Sequence, residues 1–276
     1  MTRIALLLML LLSTTLTAQQ QSPVKKIVGF SHPESVILDS LRNVLYVSNM
    51  AGKEKADGFI SRVSAEGKIL DTVWIGGLED PKGLLLMDEI LHVTDVDKLI
   101  KMDPQKGEVL VEIFVPGAKS LNDITADRAG NLYISDLMGN KIFKLDSLGK
   151  ISEWIKNSDL NRPNGLFKVD DATMLVASWG KDQPGKLLRV GDEGEISEIT
   201  TGIGNLDGIQ KWHASTFLVS DWATGDIYSI DLNGNKEVLI KSEKSSGDFL
   251  FLKDTEEVVL PMNHQNSLWW YSLNQN

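Results

Sequence analysis

The sequence repeats itself roughly every 41 residues, and no other feature restricts the fold as much. The recurring unit is a short apolar strand ending in a small or acidic residue, as in Leu45-Tyr46-Val47-Ser48-Asn49 and Leu132-Tyr133-Ile134-Ser135-Asp136. Leu91 to Asp95, Met174 to Ser178, Phe217 to Asp221 and Val258 to Met262 fit the same frame. Nine to eleven residues before each of these strands stands a polar residue: Glu34, Lys82, Asp123, Asn164, Asp207 and Asp248, separated by 48, 41, 41, 43 and 41 residues.

The third unit displays the pattern most cleanly. Short alternating segments over 123–127, 131–137, 141–146 and 151–156 are joined by turns at Arg128-Ala129-Gly130, Met138-Gly139-Asn140 and near Gly149. Four alternating strands joined by Gly and Asn turns make a four-stranded antiparallel meander, and a period of about 40–45 residues with four strands is that of a propeller blade. No amphipathic stretch of helical length competes. The expected fold is therefore an all-β, six-bladed β-propeller with four-stranded antiparallel blades. The last unit supplies only three strands, near Phe249 to Leu252, Glu257 to Leu260 and Ser267 to Leu273. The segment Lys26 to Phe30 precedes the first unit where an outer strand belongs, so it is expected to complete the last blade and close the ring, leaving no open edge.

Outside the repeat, residues 1–18 read as an export leader: a basic start at Arg3, an apolar run from Ile4 to Leu12, and small residues at Thr17-Ala18. Residues 19–276 are then a single propeller domain in the periplasm or the medium. The apolar run is shorter than the ~20 residues a membrane span needs, and no second such run follows, so no stable membrane anchor is expected. The chain has no cysteine, which excludes disulfides, thiol nucleophiles, thiolate metal ligands and N-terminal lipidation. A formal net charge of −10 makes nucleic acid an unsuitable partner.

The first strand of a blade is the innermost, so equivalent positions on six blades meet around one axis. Glu34, Asp123, Asn164, Asp207 and Asp248 are expected to converge at one mouth of the channel, with Lys82 as the cationic member. Carboxylates gathered in this way repel one another unless a cation or protons intervene. All are hard oxygen donors, and His32, His92, His213 and His264 have no paired ligand spacing, so Ca2+ first, then Mg2+ or Mn2+, suits the site better than Zn2+. Asp and Asn also recur at strand starts because they bond local backbone, and Asp95, Asp136 and Asp221, at the ends of second strands, are read as such turn formers. Lys82 has two readings, one into the site and one in a pair with Glu79 or Asp80. Ser48, Ser135 and Ser220 follow the strand frame, and no His is placed to make a nucleophilic triad with them.

With the frame set, Pro33-Glu34, Leu121-Asn122-Asp123, Arg162-Pro163-Asn164-Gly165-Leu166 and Leu206-Asp207-Gly208-Ile209 resemble the blade openings of the senescence marker protein, gluconolactonase and luciferin-regenerating enzyme family, across essentially all of residues 19–276. The sequence departs from that family at His32-Pro33-Glu34-Ser35, where the family has a Gly-Glu-Gly type turn, and at Ile124, where it usually has Gly. The resemblance implies a divalent cation held by Glu34, Asn164 and Asp207, with Asn122 and Asp123 on the substrate. The activity it implies is hydrolysis of a lactone or related cyclic ester, the substrate being a small molecule, itself a lactone or sugar-derived. A cation there would polarise an ester carbonyl, with Asp207 or Asp123 as general base, Asn122 orienting the substrate and Lys82 steadying the oxyanion. The loops Asn49 to Gly58 and Trp179 to Gly185 are expected to rim the pocket, with Trp179 and Trp222 as flat walls. A different class of function also fits the fold: a non-catalytic propeller, like those of NHL repeats, that binds a protein or carbohydrate on its top face.

Overall fold

The computed structural model describes residues 21–52 and 54–274; the expected leader over 1–18 lies outside the described residues. Strand β1 (Lys25–Val28) opens the chain. Blade one is β2 (Pro33–Asp39), β3 (Val44–Asn49), β4 (Gly58–Ser64) and β5 (Ile69–Leu78). Blade two is β6 (Pro81–Met87), β7 (Ile90–Asp95), β8 (Lys98–Asp103) and β9 (Glu108–Phe114). Blade three is β10 (Leu121–Ala126), β11 (Leu132–Asp136), β12 (Lys141–Leu145) and β13 (Ile151–Lys156). Blade four is β14 (Pro163–Lys168), β15 (Thr173–Ser178), β16 (Leu187–Gly191) and β17 (Ile196–Glu198). Blade five is β18 (Leu206–His213), β19 (Thr216–Asp221), β20 (Asp226–Asp231) and β21 (Lys236–Lys241). Blade six has β22 (Leu250–Leu252), β23 (Glu257–Met262) and β24 (Ser267–Ser272) from the end of the chain, and β1 pairs antiparallel with β24 as its fourth strand. The six-bladed ring and its closing strand are thus as the repeat requires.

Burial follows from stacking sheets around a circle. Second strands are covered on both faces by neighbouring blades, so every residue of β3 and β11 is buried, while the outer strand β9 is almost wholly exposed. The apolar core accordingly divides into clusters that lie between successive blades. Tyr46 and Ile60 of blade one pack with Leu91 and Ile100 of blade two, and Val47 of blade one packs with Val259 and Trp270 of blade six. The alternation of Trp269 and Trp270 sends one indole to each side of β24, into the clusters shared with blades five and one.

Hydroxyls stitch blades together at the axis. Ser135 Oγ accepts from the Asp123 amide at 2.9 Å and donates to the Asn164 carbonyl of the next blade at 2.7 Å. Ser220 Oγ does the same with the Gly208 amide and the Gly247 carbonyl, and Thr94 Oγ1 with the Gly83 amide and the Asn122 carbonyl. Ser135, Ser220 and Thr94 are therefore interblade braces, and Ser48 accepts from the Ser35 amide of its own blade. The acidic residues ending second strands are turn formers as expected: Asp136 accepts from the Lys119 and Ser120 amides, and Asp95 from those of Glu79 and Asp80.

Candidate functional site

The first strands of blades one to five bulge where they reach the axis. In blade three, Leu121 pairs with Asp136 and Ile124 with Ile134, so three steps on β10 match two on β11. The same extra residue interrupts β2, β6, β14 and β18. Two consecutive residues of each blade are turned toward the channel, at two levels. The upper level is Glu34, Lys82, Asn122, Asn164, Asp207 and Gly247, and all six line one cavity of about 330 Å3. Ser35, Gly83, Asp123, Gly165, Gly208 and Asp248 follow one residue later and form the lower level.

The expected convergence is refined at two positions. Asp123 and Asp248 do not line the upper cavity; they line a second cavity of about 420 Å3 with aliphatic residues such as Leu84 and Leu166, yet they stay close enough to act on the carboxyls of the first. The bulge is the physical reason: it breaks the period-2 alternation, so the repeat spacing alone does not tell which of two neighbours reaches a given level. Glu34, Asn164 and Asp207, from blades one, four and five, do come together, and Asn122 and Lys82 line the same cavity.

The site is rich in carboxyls with little to neutralise them. Burial pushes Glu34 up to about 8; Lys82 pulls it back and Asp248 raises it further. Burial also raises Asp207 well above the carboxylate range, with the charges of Glu34, Asp248 and Asp123 adding to it and Asn164 partly offsetting them. Asp123 is raised to about 7 by burial, although the Leu166 and Ile124 amides donate to its two oxygens at 2.6 and 2.7 Å. Asp248 is raised by burial and by Asp123, with Ser35 opposing. Ser35 Oγ lies 3.0 Å from Glu34 Oε2 and 2.9 Å from Asp248 Oδ2. One hydroxyl proton serves only one of them, so the other contact is a hydrogen bond only when its carboxyl is protonated.

Lys82 takes the second of its two readings without leaving the site: its ammonium pairs with Asp80 while its charge is felt by Glu34. Asn164 is the most informative residue. Its Nδ2 donates to the Leu206 carbonyl at 3.2 Å, but its Oδ1, buried in the cavity floor, has no hydrogen-bond partner. An orphaned amide oxygen beside two carboxyls is the donor set of a hard cation such as Ca2+, Mg2+ or Mn2+. No cluster of three or more His, Cys, Asp or Glu able to hold a metal occurs among the described residues, so a cation at this place depends on that amide as its third protein donor.

Above the floor stands a collar, expected at Trp179, at Trp222 and along the Asn49 to Gly58 loop that carries Met50. Met50, Leu137, Met138 and Asn263 line the cavity with the two tryptophans. The signal for two of the others was present: Leu137 and Asn263, like Met50 and the two tryptophans, each follow the last residue of a second strand. The Trp179 and Trp222 rings lie 5.3 Å apart at 52°, and His264 meets Trp222 edge-on at 5.1 Å.

No family model matches this chain, and no curated protein matches it in sequence. In three dimensions it is similar to a gluconolactonase from Xanthomonas campestris, with a TM-score of 0.72 and 14% identity over 89% of this chain and 88% of that one. It is also similar to a virginiamycin B lyase from Staphylococcus aureus, with a TM-score of 0.61 and 14% identity over 91% and 89% of the two chains. A streptogramin B lyase gives 0.63 and 15% identity over 88% and 96%. The chain is thus a six-bladed β-propeller sharing the fold of gluconolactonase and streptogramin lyase propellers. At such identities the likeness is one of fold, and the chemistry has to be read from the site.

Proposed function

We propose that this chain is a divalent-cation-dependent hydrolase of a small lactone or related cyclic ester, acting outside the cytoplasm after export by its leader. The observation that carries the reading is the buried, unpartnered Oδ1 of Asn164 on a cavity that Glu34 and Asp207 also line. Glu34, Asn164 and Asp207 would hold the cation. When bound, it supplies positive charge that offsets the clustered carboxylates and polarises an ester carbonyl.

The chain's own groups account for the remaining requirements. Asn122, buried on the same floor, orients the ester by its amide. Asp207 is better suited than Asp123 to act as base, since it lines the cavity while both oxygens of Asp123 are held by backbone amides. It takes a proton from the attacking water, whose oxygen adds to the carbonyl carbon. The ring C–O bond then breaks and the proton passes to the departing oxygen, leaving a hydroxy acid. Lys82, which lines the floor, favours the oxyanion formed on the way.

The test is a panel of sugar, alkyl and aryl-fused lactones, followed by acid release with Ca2+, Mg2+ or Mn2+ and with chelator. Hydrolysis restored by at least one ion and reduced about a hundredfold or more in Asp207→Asn is the expected result. Absence of ion-dependent hydrolysis across the panel overturns the reading in favour of a non-catalytic binding platform.

A further inference from the structure

The collar is built by one backbone device used on five blades. In blades one, three, four and five the amide following the second strand donates to the carbonyl just before the first strand, Met50 to His32 at 3.1 Å, Leu137 to Ser120 at 3.0 Å, Trp179 to Arg162 at 2.8 Å and Trp222 to Asn205 at 2.9 Å, and in blade six Asn263 donates to Ser245, on the approach to β22, at 2.8 Å. These five side chains therefore stand at one height around the cavity. Four are apolar, and Met138, also in the wall, is 52% exposed. The residues immediately before the first four are Asn49, Asp136, Ser178 and Asp221, so apolar side chains occupy the solvent-open step of a frame that is otherwise polar there.

Apolar surface held open to water in a concave site forgoes the gain of burial and marks where a ligand's apolar part is received. Polar groups at collar height are few: Ser120, and Asn263, whose Nδ2 already reaches the Pro33 carbonyl at 3.5 Å. A polyhydroxylated sugar lactone carries hydroxyls around its ring, and those buried without partners oppose binding. The floor has the reverse character, with Glu34, Asn122, Asn164 and Asp207 all polar.

We infer that the site selects cyclic esters whose non-reacting part is flat and apolar, such as aryl-fused or alkyl-substituted lactones, over polyhydroxylated sugar lactones. The ester end faces the floor and the apolar body lies in the collar against Trp179 and Trp222. This inference rests on the hydrolase reading for its ester, but its ligand class is separable from turnover. A cavity of about 330 Å3 is of the size that receives a bicyclic molecule.

The experiment uses unreactive lactams, so that binding is read without catalysis. 3,4-Dihydroquinolin-2-one stands for the aryl-fused lactone and gluconolactam for the sugar lactone, each titrated by calorimetry into the purified chain with saturating Ca2+ and again with chelator. The aryl lactam is expected to bind at least tenfold more tightly, and each methylene added to an alkyl lactam to tighten binding about fourfold. The double substitution Trp179→Ala and Trp222→Ala should weaken the aryl lactam tenfold or more and gluconolactam less than threefold. Trp222→Phe, which keeps a flat ring, should retain most of the preference should the double variant not fold. Equal or tighter binding of gluconolactam, no binding of the aryl lactam, or equal losses of both on removing the tryptophans overturns the inference. Parallel turnover of the matching lactones separates the two readings: aryl-lactam preference without hydrolysis sinks the hydrolase and keeps the ligand class, while efficient hydrolysis of the sugar lactone alone does the reverse.

Discussion

Two consecutive residues of every blade face the channel, and the two levels they form differ in what they tolerate. At the upper level five of six positions bear polar side chains of varied kind, Glu34, Lys82, Asn122, Asn164 and Asp207, because they open into a cavity. At the lower level Ser35, Gly83, Gly165 and Gly208 are small, because the next blade's backbone leaves no room. A methyl on Gly165 would overlap the backbone oxygen of Asp207. Asp123 and Asp248 are the exceptions, on blades three and six, which face each other across the ring. Sterics keep the lower level small outside those two blades; at the upper level they hold Gly247, where a methyl would meet the Glu34 carbonyl oxygen, and the other five positions carry the chemistry.

The largest expected effect breaks that comparison within two adjacent residues. Gly165→Ala should cost about 3 kcal/mol or more, since the overlapping partner is backbone and cannot swing away. Asn164→Ala, one residue earlier, removes an oxygen that has no partner but also the Nδ2 bond to the Leu206 carbonyl, and should cost about 1–2 kcal/mol, clearly less than Gly165→Ala. Thermal unfolding of both variants checks this; similar losses in the two would mean that the levels are not distinct.

Next in size is the dependence on pH in the presence of chelator. Glu34, Asp123, Asp207 and Asp248 all hold protons more tightly folded than unfolded. Their contribution is therefore fully present below the ordinary carboxylate range, and it falls as pH rises toward about 7 for Asp123 and about 8 for Glu34. Denaturant titrations should show stability dropping by a few kcal/mol between pH 4 and pH 8, and Asp248→Asn should flatten the slope. A cation-free protein that gains stability over that interval would contradict the burial of these groups.

A smaller effect tests the brace beneath the levels. Ser135→Ala removes the hydroxyl joining the Asp123 amide to the Asn164 carbonyl and should cost about 1–3 kcal/mol. Blades four and six have Ala177 and Pro261 at the corresponding position, so the ring tolerates blades without a hydroxyl there and the variant should still fold.

The architecture was legible because a four-stranded unit repeated at a nearly constant spacing has one economical solution, and because three strands at the end of the chain require a fourth from its start. Glu34, Asn164 and Asp207 share one step of their blades, but it was the resemblance to the gluconolactonase family that singled out these three among the six blade openings. That Asp123 and Asp248 stand one level below the others was not legible, because a bulge adds one residue just where the strand meets the axis, and spacing that varies by a residue between blades conceals such a slip. The collar escaped notice at Leu137 and Asn263, though not along the Asn49 to Gly58 loop that holds Met50, for another reason. Its positions repeat in the chain, but its residues share no chemical type, and only their common amide-to-carbonyl bond shows them to be equivalent.

The most direct test of the central claim is the cation itself. The chain is stripped with chelator and its thermal unfolding followed with added Ca2+, Mg2+ and Mn2+, for wild type, Asp207→Asn and Asn164→Ala. Binding to the folded state at a hundredfold excess over Kd stabilises by about 2.7 kcal/mol, or about 5–10 °C for a domain of this size. The account predicts that at least one ion produces this shift in the wild type and that both variants lose it. If no ion moves the wild type, or if the variants respond as the wild type does, Glu34, Asn164 and Asp207 are not a cation site.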